Sequence, residues 1–181
     1  MTLIKQRGFT LTEIILVLII ASVLVISVFI IFKKAQRHEK IKTEISNLIN
    51  LKGQIDSLFS SLPDYSTLSN SLLIESDLVP NGILYEDSLG KKWMRNSWNG
   101  NIIVSQYSSS PIYYSIVYQN IPIDTCTNII SATQKYFPSI KVTGGSTIKK
   151  NDSIAKISDT CASSGDTYKS MELTFTSFGD W

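Results

Sequence analysis

The most unusual ionisable residue in this sequence is Glu13. Its carboxylate stands directly before the run Ile14–Phe32, in which 19 consecutive residues carry no charge and only Ser22 and Ser27 are polar. An ionisable group at the edge of such a run is costly unless it has a partner. We therefore interpret Glu13 as a functional residue rather than a chance feature of an apolar segment.

The other reactive side chains exclude several classes of site. Cys126 and Cys161 are too far apart for a CxxC redox motif; an exported domain would join them, whereas a cytosolic one would keep them reduced. His38 is the only histidine, which excludes a His-rich metal site and disfavours a His-based triad. The sequence has no Walker loop, no H-E-x-x-H and no G-x-S-x-G pattern, so we predict no enzyme, no cofactor and no metal.

The charge balance excludes a further class. The chain has 181 residues with 17 Lys and Arg against 15 Asp and Glu, a net charge of +2. A nucleic-acid interface needs a concentrated basic face, and this composition gives none, so no nucleic-acid partner is predicted.

A long helix must position Glu13. A hydrocarbon core of about 30 Å takes roughly 20 apolar residues in a helix, and the run after Glu13 meets that length. No Gly or Pro interrupts residues 9–52, and apolar residues recur at helical spacing until Pro63. We predict one helix from Phe9 to about Leu62, with residues 9–32 apolar all round and residues 33–62 forming an amphipathic half.

Residues 63–181 are predicted to form a globular α+β head that covers the amphipathic half of the helix. β-branched and aromatic runs bounded by turn residues favour strands, and Asp124 is a candidate N-cap for a helix that ends before Pro138. The predicted elements are helices at 65–77 and 125–137, a strand hairpin at 101–107 and 112–119, and strands at 140–143, 153–157 and 168–175.

The string Arg7-Gly8-Phe9-Thr10-Leu11-Thr12-Glu13, followed by the apolar run, resembles the N-terminal signature of type IV pilins. In that family a prepilin peptidase cuts after the glycine and methylates the new amino group. The resemblance implies that residues 1–8 are a cleaved leader, that the Gly8–Phe9 bond is cut, and that Phe9 becomes N-methylphenylalanine. Gly8 suits this step because it has no Cβ to obstruct the protease.

The same resemblance gives Glu13 a role. The retained segment, residues 9–32, would be a transmembrane anchor in the inner membrane and later the filament core, where Glu13 would pair with the Phe9 amine of a neighbouring subunit. The i to i+4 spacing of Phe9 and Glu13 also allows a pair within one chain, and the sequence leaves both open. An ordinary secretory signal fits poorly, because the run is too long and lacks an A-x-A-like site. A plain single-pass anchor leaves Glu13 unexplained.

Basic residues after the run oppose the expected topology. The positive-inside rule alone would place the head in the cytoplasm, because Lys33, Lys34, Arg37, Lys40 and Lys42 outnumber Lys5 and Arg7. We give more weight to the processing signature and the cysteines. The expectation is a single-pass precursor with a periplasmic head.

Motifs in the head resemble those of type IVb pilins, the group of the toxin-coregulated pilin and the pilins of conjugative thin pili. They are Leu78-Val79-Pro80, the turn and strand Trp98-Asn99-Gly100-Asn101-Ile102-Ile103-Val104, and Asn120-Ile121-Pro122 followed by Cys126. Asn99 stands where those pilins have a glycine. In that group the cysteine pairs with one near the C-terminus, which implies a Cys126–Cys161 disulfide here.

The predicted function is therefore structural. The resemblance implies the fold of a type IV pilin, with the apolar half of the helix protruding and the amphipathic half packed on a mixed, mainly antiparallel sheet. The subunit would form a homopolymer, a bacterial IVb-like pilus on the cell surface for adhesion, aggregation or conjugation. Its implied partners are the prepilin peptidase, the assembly platform and the assembly ATPase. The alternatives are a minor pilin or type II secretion pseudopilin and, more distantly, a monomeric membrane-anchored extracytoplasmic binding domain.

Overall fold

The computed structural model of the chain describes residues 10–108, 110–163 and 170–177. Gly8 and Phe9, where cleavage and methylation are predicted, lie outside these ranges. The chain divides into two units whose boundary falls between Glu39 and Lys40; we call them the apolar unit and the head unit. The elements are α1 (Leu11–Leu58), α2 (Asn70–Glu75), β1 (Leu84–Glu86), β2 (Lys92–Met94), β3 (Ile102–Tyr107), β4 (Ser110–Pro122), α3 (Ile123–Thr133), β5 (Ser139–Val142), β6 (Thr147–Lys149), α4 (Ile154–Ser163) and β7 (Ser170–Thr176).

The apolar unit consists of the first part of α1. Within its described residues, 10–39, every side chain is exposed, although most of them are Ile, Leu, Val or Phe. No Gly or Pro interrupts the ladder of backbone hydrogen bonds along this part of the helix.

The rest of α1 supplies one wall of the core of the head unit. The buried positions are separated by one, three or four residues, so they share one face of the helix. They are Ile41, Glu44, Asn47, Leu48, Leu51 and Ile55. Fully buried strand residues such as Ile116, Leu173 and Phe175 belong to the same core, which shows that this face of α1 packs on the sheet.

The sheet has five strands in the order β3-β4-β7-β5-β6, and each neighbouring pair is antiparallel. β7, the last strand in the sequence, therefore lies in the centre. Alternate residues of β4, namely Tyr114, Ile116 and Tyr118, are buried on the core side, as the two-residue period of a strand requires. β1 and β2 form a separate two-stranded sheet.

Several predicted elements are confirmed. The long helix, the strand hairpin now seen as β3 and β4, and the strands β5 and β7 all occur at or near their predicted positions. The helix ends at Leu58 rather than Leu62, and the predicted second helix shortens to α2, where the Ser69 hydroxyl accepts the Leu72 N–H at 3.2 Å. The predicted strand at 168–175 includes two residues that lie outside the described ranges.

Other predictions were wrong. The segment predicted as a strand at 153–157 begins helix α4, because the Ser153 hydroxyl accepts the Lys156 N–H and α4 buries Ile157, Thr160 and Cys161 on one face. Asp124 does not cap α3: the helix starts after Pro122, and Asp124 lies in its first turn. β1, β2 and β6, each three residues long, were not predicted, because such short strands have no measurable alternation.

Candidate processing and assembly site

Thr10 and Glu13 form a reciprocal cap at the start of α1. The Thr10 N–H and hydroxyl donate to Glu13 Oε2 at 2.8 and 3.0 Å, and the Glu13 N–H donates to Thr10 Oγ1 at 3.3 Å. This is the S/T-x-x-E capping box, which satisfies backbone donors that the helix cannot pair by itself. Glu13, which stands out in the sequence for its charge, therefore also caps the N-terminus of α1.

The two hydroxyls within the apolar run are satisfied inside the helix. Ser22 donates to the Ile19 carbonyl at 2.7 Å and Ser27 to the Val23 carbonyl at 2.8 Å. Neither leaves a donor that needs water. Among the described residues, α1 is the one helix long and apolar enough to cross a membrane. Its exposed apolar surface requires a partner that is not water, such as lipid or other chains.

The structure locates the predicted site residues unequally. Glu13 is described with its partners, whereas Gly8 and Phe9 are not, so the predicted pairing of the Phe9 amine with Glu13 stays a prediction. Within the described ranges, no group of three or more His, Cys, Asp or Glu residues comes together as a metal site would require.

A second acid on α1, Glu44, was missed by the sequence reasoning. It is 2% exposed, and its Oε1 accepts the Ser97 N–H at 2.6 Å and the Ser97 hydroxyl. Burial raises the pKa of the Glu44 carboxyl, and the two Ser97 hydrogen bonds oppose that shift. Its Oε2 has no hydrogen-bond partner among the described residues, and the same holds for the buried Tyr118 hydroxyl. The sequence did contain a signal for this residue, because Glu44 lies on the same face of the predicted helix as the apolar residues Ile41 and Leu48.

Glu44 fixes the turn that carries the type IVb-like motif. The buried Asn96 side chain accepts the N–H groups of Trp98 and Gly100 at 3.0 and 2.9 Å and donates to the Gln119 carbonyl at 2.7 Å. Together with the Glu44–Ser97 hydrogen bonds, these polar contacts link α1, the turn and β4.

Asn99 and Gly100, at the tip of the turn, differ in the side chains that their positions can accept. A Cβ on Gly100 would lie 1.8 Å from the Gln119 carbonyl oxygen, so only glycine fits. Asn99 has φ 61°, in the left-handed region that Asn enters more easily than most other residues. The glycine of relatives can therefore be replaced by Asn at this position without loss of the turn.

Cys126 and Cys161 are joined in a disulfide, the pairing that the resemblance implied. It links the first half of α3 to α4 across a Cα–Cα distance of 6.0 Å and a sequence separation of 35 residues. Both cysteines are buried. The bridge restrains the segment that contains β5 and β6, which includes the edge of the sheet.

Two family models match this chain. The one described as PilS N terminal matches residues 38–178, and the one described as prokaryotic N-terminal methylation motif matches residues 3–29. The first covers most of the head unit, and the second covers the capped start of α1 together with Gly8 and Phe9.

Solved structures show the same fold. A type IVb pilin from Salmonella typhi matches with a TM-score of 0.59 at 17% identity over 77% of this chain and 99% of that chain. TcpA, a type IV pilin from Vibrio cholerae El Tor biotype, matches with a TM-score of 0.52 at 12% identity over 76% and 98%. No curated protein matches the chain by sequence. The family matches and the shared fold show that this chain belongs to the PilS family and is a type IV pilin of the IVb-like kind.

Proposed function

We propose that this pilin is cut between Gly8 and Phe9, methylated on Phe9, and polymerised as the main subunit of a IVb-like pilus. The observation that carries the proposal is the apolar unit: residues 14–32 expose every side chain and follow directly on a capped Glu13 that lies within the matched methylation motif. A surface of this kind has to be covered by lipid before assembly and by neighbouring subunits after it.

Glu13 has two roles in this proposal. In the precursor its carboxylate bonds to Thr10 and caps its own helix. Cleavage creates a positive amine on Phe9, and a charge enclosed in an apolar filament needs an opposite charge beside it. In the filament, Glu13 then pairs with the Phe9 amine of a neighbour, which sets the register between subunits.

The Cys126–Cys161 disulfide supports a periplasmic head, because disulfides persist in oxidising compartments. The precursor would therefore cross the inner membrane once and meet the prepilin peptidase there. The assembly platform and the assembly ATPase would extract it into the filament. Adhesion, aggregation or conjugative contact is the proposed use of the assembled pilus.

The first experiment is intact mass and N-terminal sequencing of the protein from its native membrane and from sheared surface material. We expect abundant protein in the sheared fraction that starts at N-methylated Phe9 and has lost two hydrogens to one disulfide. Processed protein that is scarce in that fraction would favour a minor pilin or pseudopilin. A start at Met1, confined to the membrane, would leave the anchored binding domain.

Three substitutions at the capped start of α1 separate the two roles of Glu13. Glu13→Gln keeps a capping side chain but removes the charge, whereas Thr10→Ala removes the cap and keeps the charge. We expect Glu13→Gln to be processed normally but to give no sheared filaments, and Thr10→Ala to give them. Glu13→Asp, which retains a shorter carboxylate, is the matched control. Normal filaments from Glu13→Gln would reject the charge pairing while leaving the processing proposal intact.

A further inference from the structure

Two lysines, Lys33 and Lys34, end the apolar run on its C-terminal side, and the proposed function gives them no role. They follow Phe32 directly, and both are exposed. At 1.5 Å per residue, α1 rises about 30 Å between Glu13 and Lys33, which is also the approximate thickness of a hydrocarbon core. When residues 14–32 cross a membrane, Lys33 and Lys34 therefore lie at the level of the phospholipid headgroups.

The helix itself does not neutralise these two lysines. Along a helix, a lysine pairs with a carboxylate three or four residues away, and at those distances from Lys33 and Lys34 the sequence has only Phe, Ile, Gln, Arg and His. Glu39, the nearest acid in the sequence, is five and six residues away, so it lies on another side of the helix. Within the described ranges, neither lysine forms a salt bridge. Their two positive charges therefore remain for an anion outside the chain.

The Lys33 side chain lies along the apolar surface of the run. Its Nζ is 4.7 Å from the centre of the Phe29 ring, one turn back towards the membrane-crossing residues, and Phe29 is 56% exposed. A lysine in this position covers apolar surface with its methylenes and keeps its ammonium at the polar boundary. A cation at the edge of hydrocarbon is costly without an anion beside it. Lipid phosphates are the anions that a membrane supplies at that depth.

We propose that Lys33 and Lys34 form a binding site for the headgroup of an anionic phospholipid, in the leaflet on the C-terminal side of the run. The site rests on the proposed single-pass insertion of the precursor. A zwitterionic headgroup brings its own ammonium to its phosphate, whereas the phosphate of phosphatidylglycerol has no such partner. Each lysine near an anionic membrane surface strengthens the attraction by about fivefold.

This site gives a use to the basic residues that oppose the expected topology. The positive-inside rule disfavours lysines directly after a run on the side that is translocated, so a pair retained there indicates a function on that side. In the precursor, contact with the headgroup would set the depth of α1 and hold the subunit in the membrane. Extraction into the filament would break that contact.

A carboxylate on a neighbouring subunit is the less suitable partner. It could reach these lysines only after the subunit has left the bilayer, whereas lipid surrounds them from insertion onwards. The contact of Lys33 with Phe29 also forms within a single chain, before any neighbour is present.

The test uses the full-length protein in detergent micelles that contain equal amounts of palmitoyl-oleoyl phosphatidylglycerol and palmitoyl-oleoyl phosphatidylcholine. Native mass spectrometry counts the lipids of each kind that stay bound. Because the acyl chains are identical, a preference reports the headgroup alone. We expect the parent protein to retain at least fivefold more phosphatidylglycerol than phosphatidylcholine, and Lys33→Gln/Lys34→Gln to retain the two lipids about equally.

The head unit supplies a matched control. Lys141 and Lys150 are exposed, and Lys141→Gln/Lys150→Gln removes the same charge at a distance in sequence from the apolar run. This variant should keep the preference of the parent protein. Flotation of each protein with vesicles of phosphatidylcholine alone measures insertion separately, and all three proteins are expected to float.

The outcomes distinguish the headgroup site from the insertion on which it rests. No preference in the parent protein, or an equal loss in both double variants, would overturn the site, while flotation would still support insertion. Failure of the parent protein to float would reject insertion and the site together. If Lys33→Gln/Lys34→Gln kept the preference but gave no sheared filaments, the partner of these lysines would be a carboxylate of a neighbouring subunit.

Discussion

The two parts of α1 differ in how their apolar side chains are buried and how their polar side chains are hydrogen-bonded. In the apolar unit, the described residues bury none of their apolar side chains and satisfy their polar side chains locally, as Ser22 and Ser27 do with carbonyls three and four residues away. In the head unit, α1 buries Leu51 and Ile55 completely, and Oε1 of Glu44 accepts hydrogen bonds from Ser97, 53 residues further along the chain.

The difference shows where the partner of each surface comes from. The head unit folds against its own sheet, so its apolar groups and most of its buried polar groups find partners within one chain. The apolar unit carries residues that are suited to lipid and to other copies of the chain. The same substitution should therefore change the free energy of unfolding of the head when it lies after the Glu39–Lys40 boundary, and leave it unchanged when it lies before that boundary.

Loss of the disulfide is expected to have the largest effect. The bridge closes 35 residues, and the chain-entropy model assigns such a loop about 4 kcal/mol. The free energy of unfolding of the head should therefore fall by about that amount in Cys126→Ala/Cys161→Ala. It is measured in micelles by urea unfolding, followed by near-UV circular dichroism. Because the apolar unit has no part in this loop, its helical signal in the micelle should persist.

A reducing agent provides the control for this comparison. It should destabilise the parent protein to a similar extent and leave the alanine variant unchanged. A parent protein that resists urea equally well with and without the reductant would show that the disulfide does not stabilise the head.

Leu→Ala substitutions on α1 test the contrast directly. Leu51 is fully buried and Leu24 is 61% exposed. Leu51→Ala should lower the free energy of unfolding of the head by about 3 kcal/mol, the usual cost of a core cavity, whereas Leu24→Ala should leave it unchanged. Urea unfolding of both full-length variants measures the difference. Equal destabilisation by the two variants would contradict the division into units.

The third prediction concerns pH and has the smallest expected effect. The pKa of Glu44 is raised from 4.5 by burial, so the folded state holds this proton more tightly than the unfolded state. Stability from this group is complete below about pH 4.5 and is lost as the pH rises through the folded pKa. Glu44→Gln, which keeps the acceptor for Ser97, should therefore gain stability relative to the parent between pH 4.5 and 7.

Urea unfolding at pH 4, 5.5 and 7 measures this effect. The free energy of unfolding should depend less on pH in Glu44→Gln than in the parent protein. Identical slopes for the two proteins would exclude a titrating role for Glu44.

Sequence alone predicted the features that have a strong local signal. The apolar run, the absence of Gly and Pro, and the β-branched and aromatic residues of β3 and β4 each specify an element without reference to the rest of the chain. The disulfide came from family resemblance rather than from spacing. These signals were sufficient to predict the fold class and the position of Glu13 at the start of the long helix.

What sequence did not predict depends on distant contacts. Residues 153–157 were predicted as a strand, but the cap at Ser153 and the position of Cys161 in the core favour the helix. The role of Glu44 depends on Ser97, and the need for Gly100 depends on Gln119. Neither partner is adjacent in sequence, so no local pattern carried that information.

The central position of β7 has a consequence for how the head is made. β4 and β5 both pair with β7. Ser115 of β4 pairs with Thr176, which is synthesised 61 residues later. Until that strand has been synthesised, the facing edges of β4 and β5 remain open, and open strand edges pair readily with other chains. The head is therefore most vulnerable to aggregation until the last strand of the chain has been made and has inserted between them.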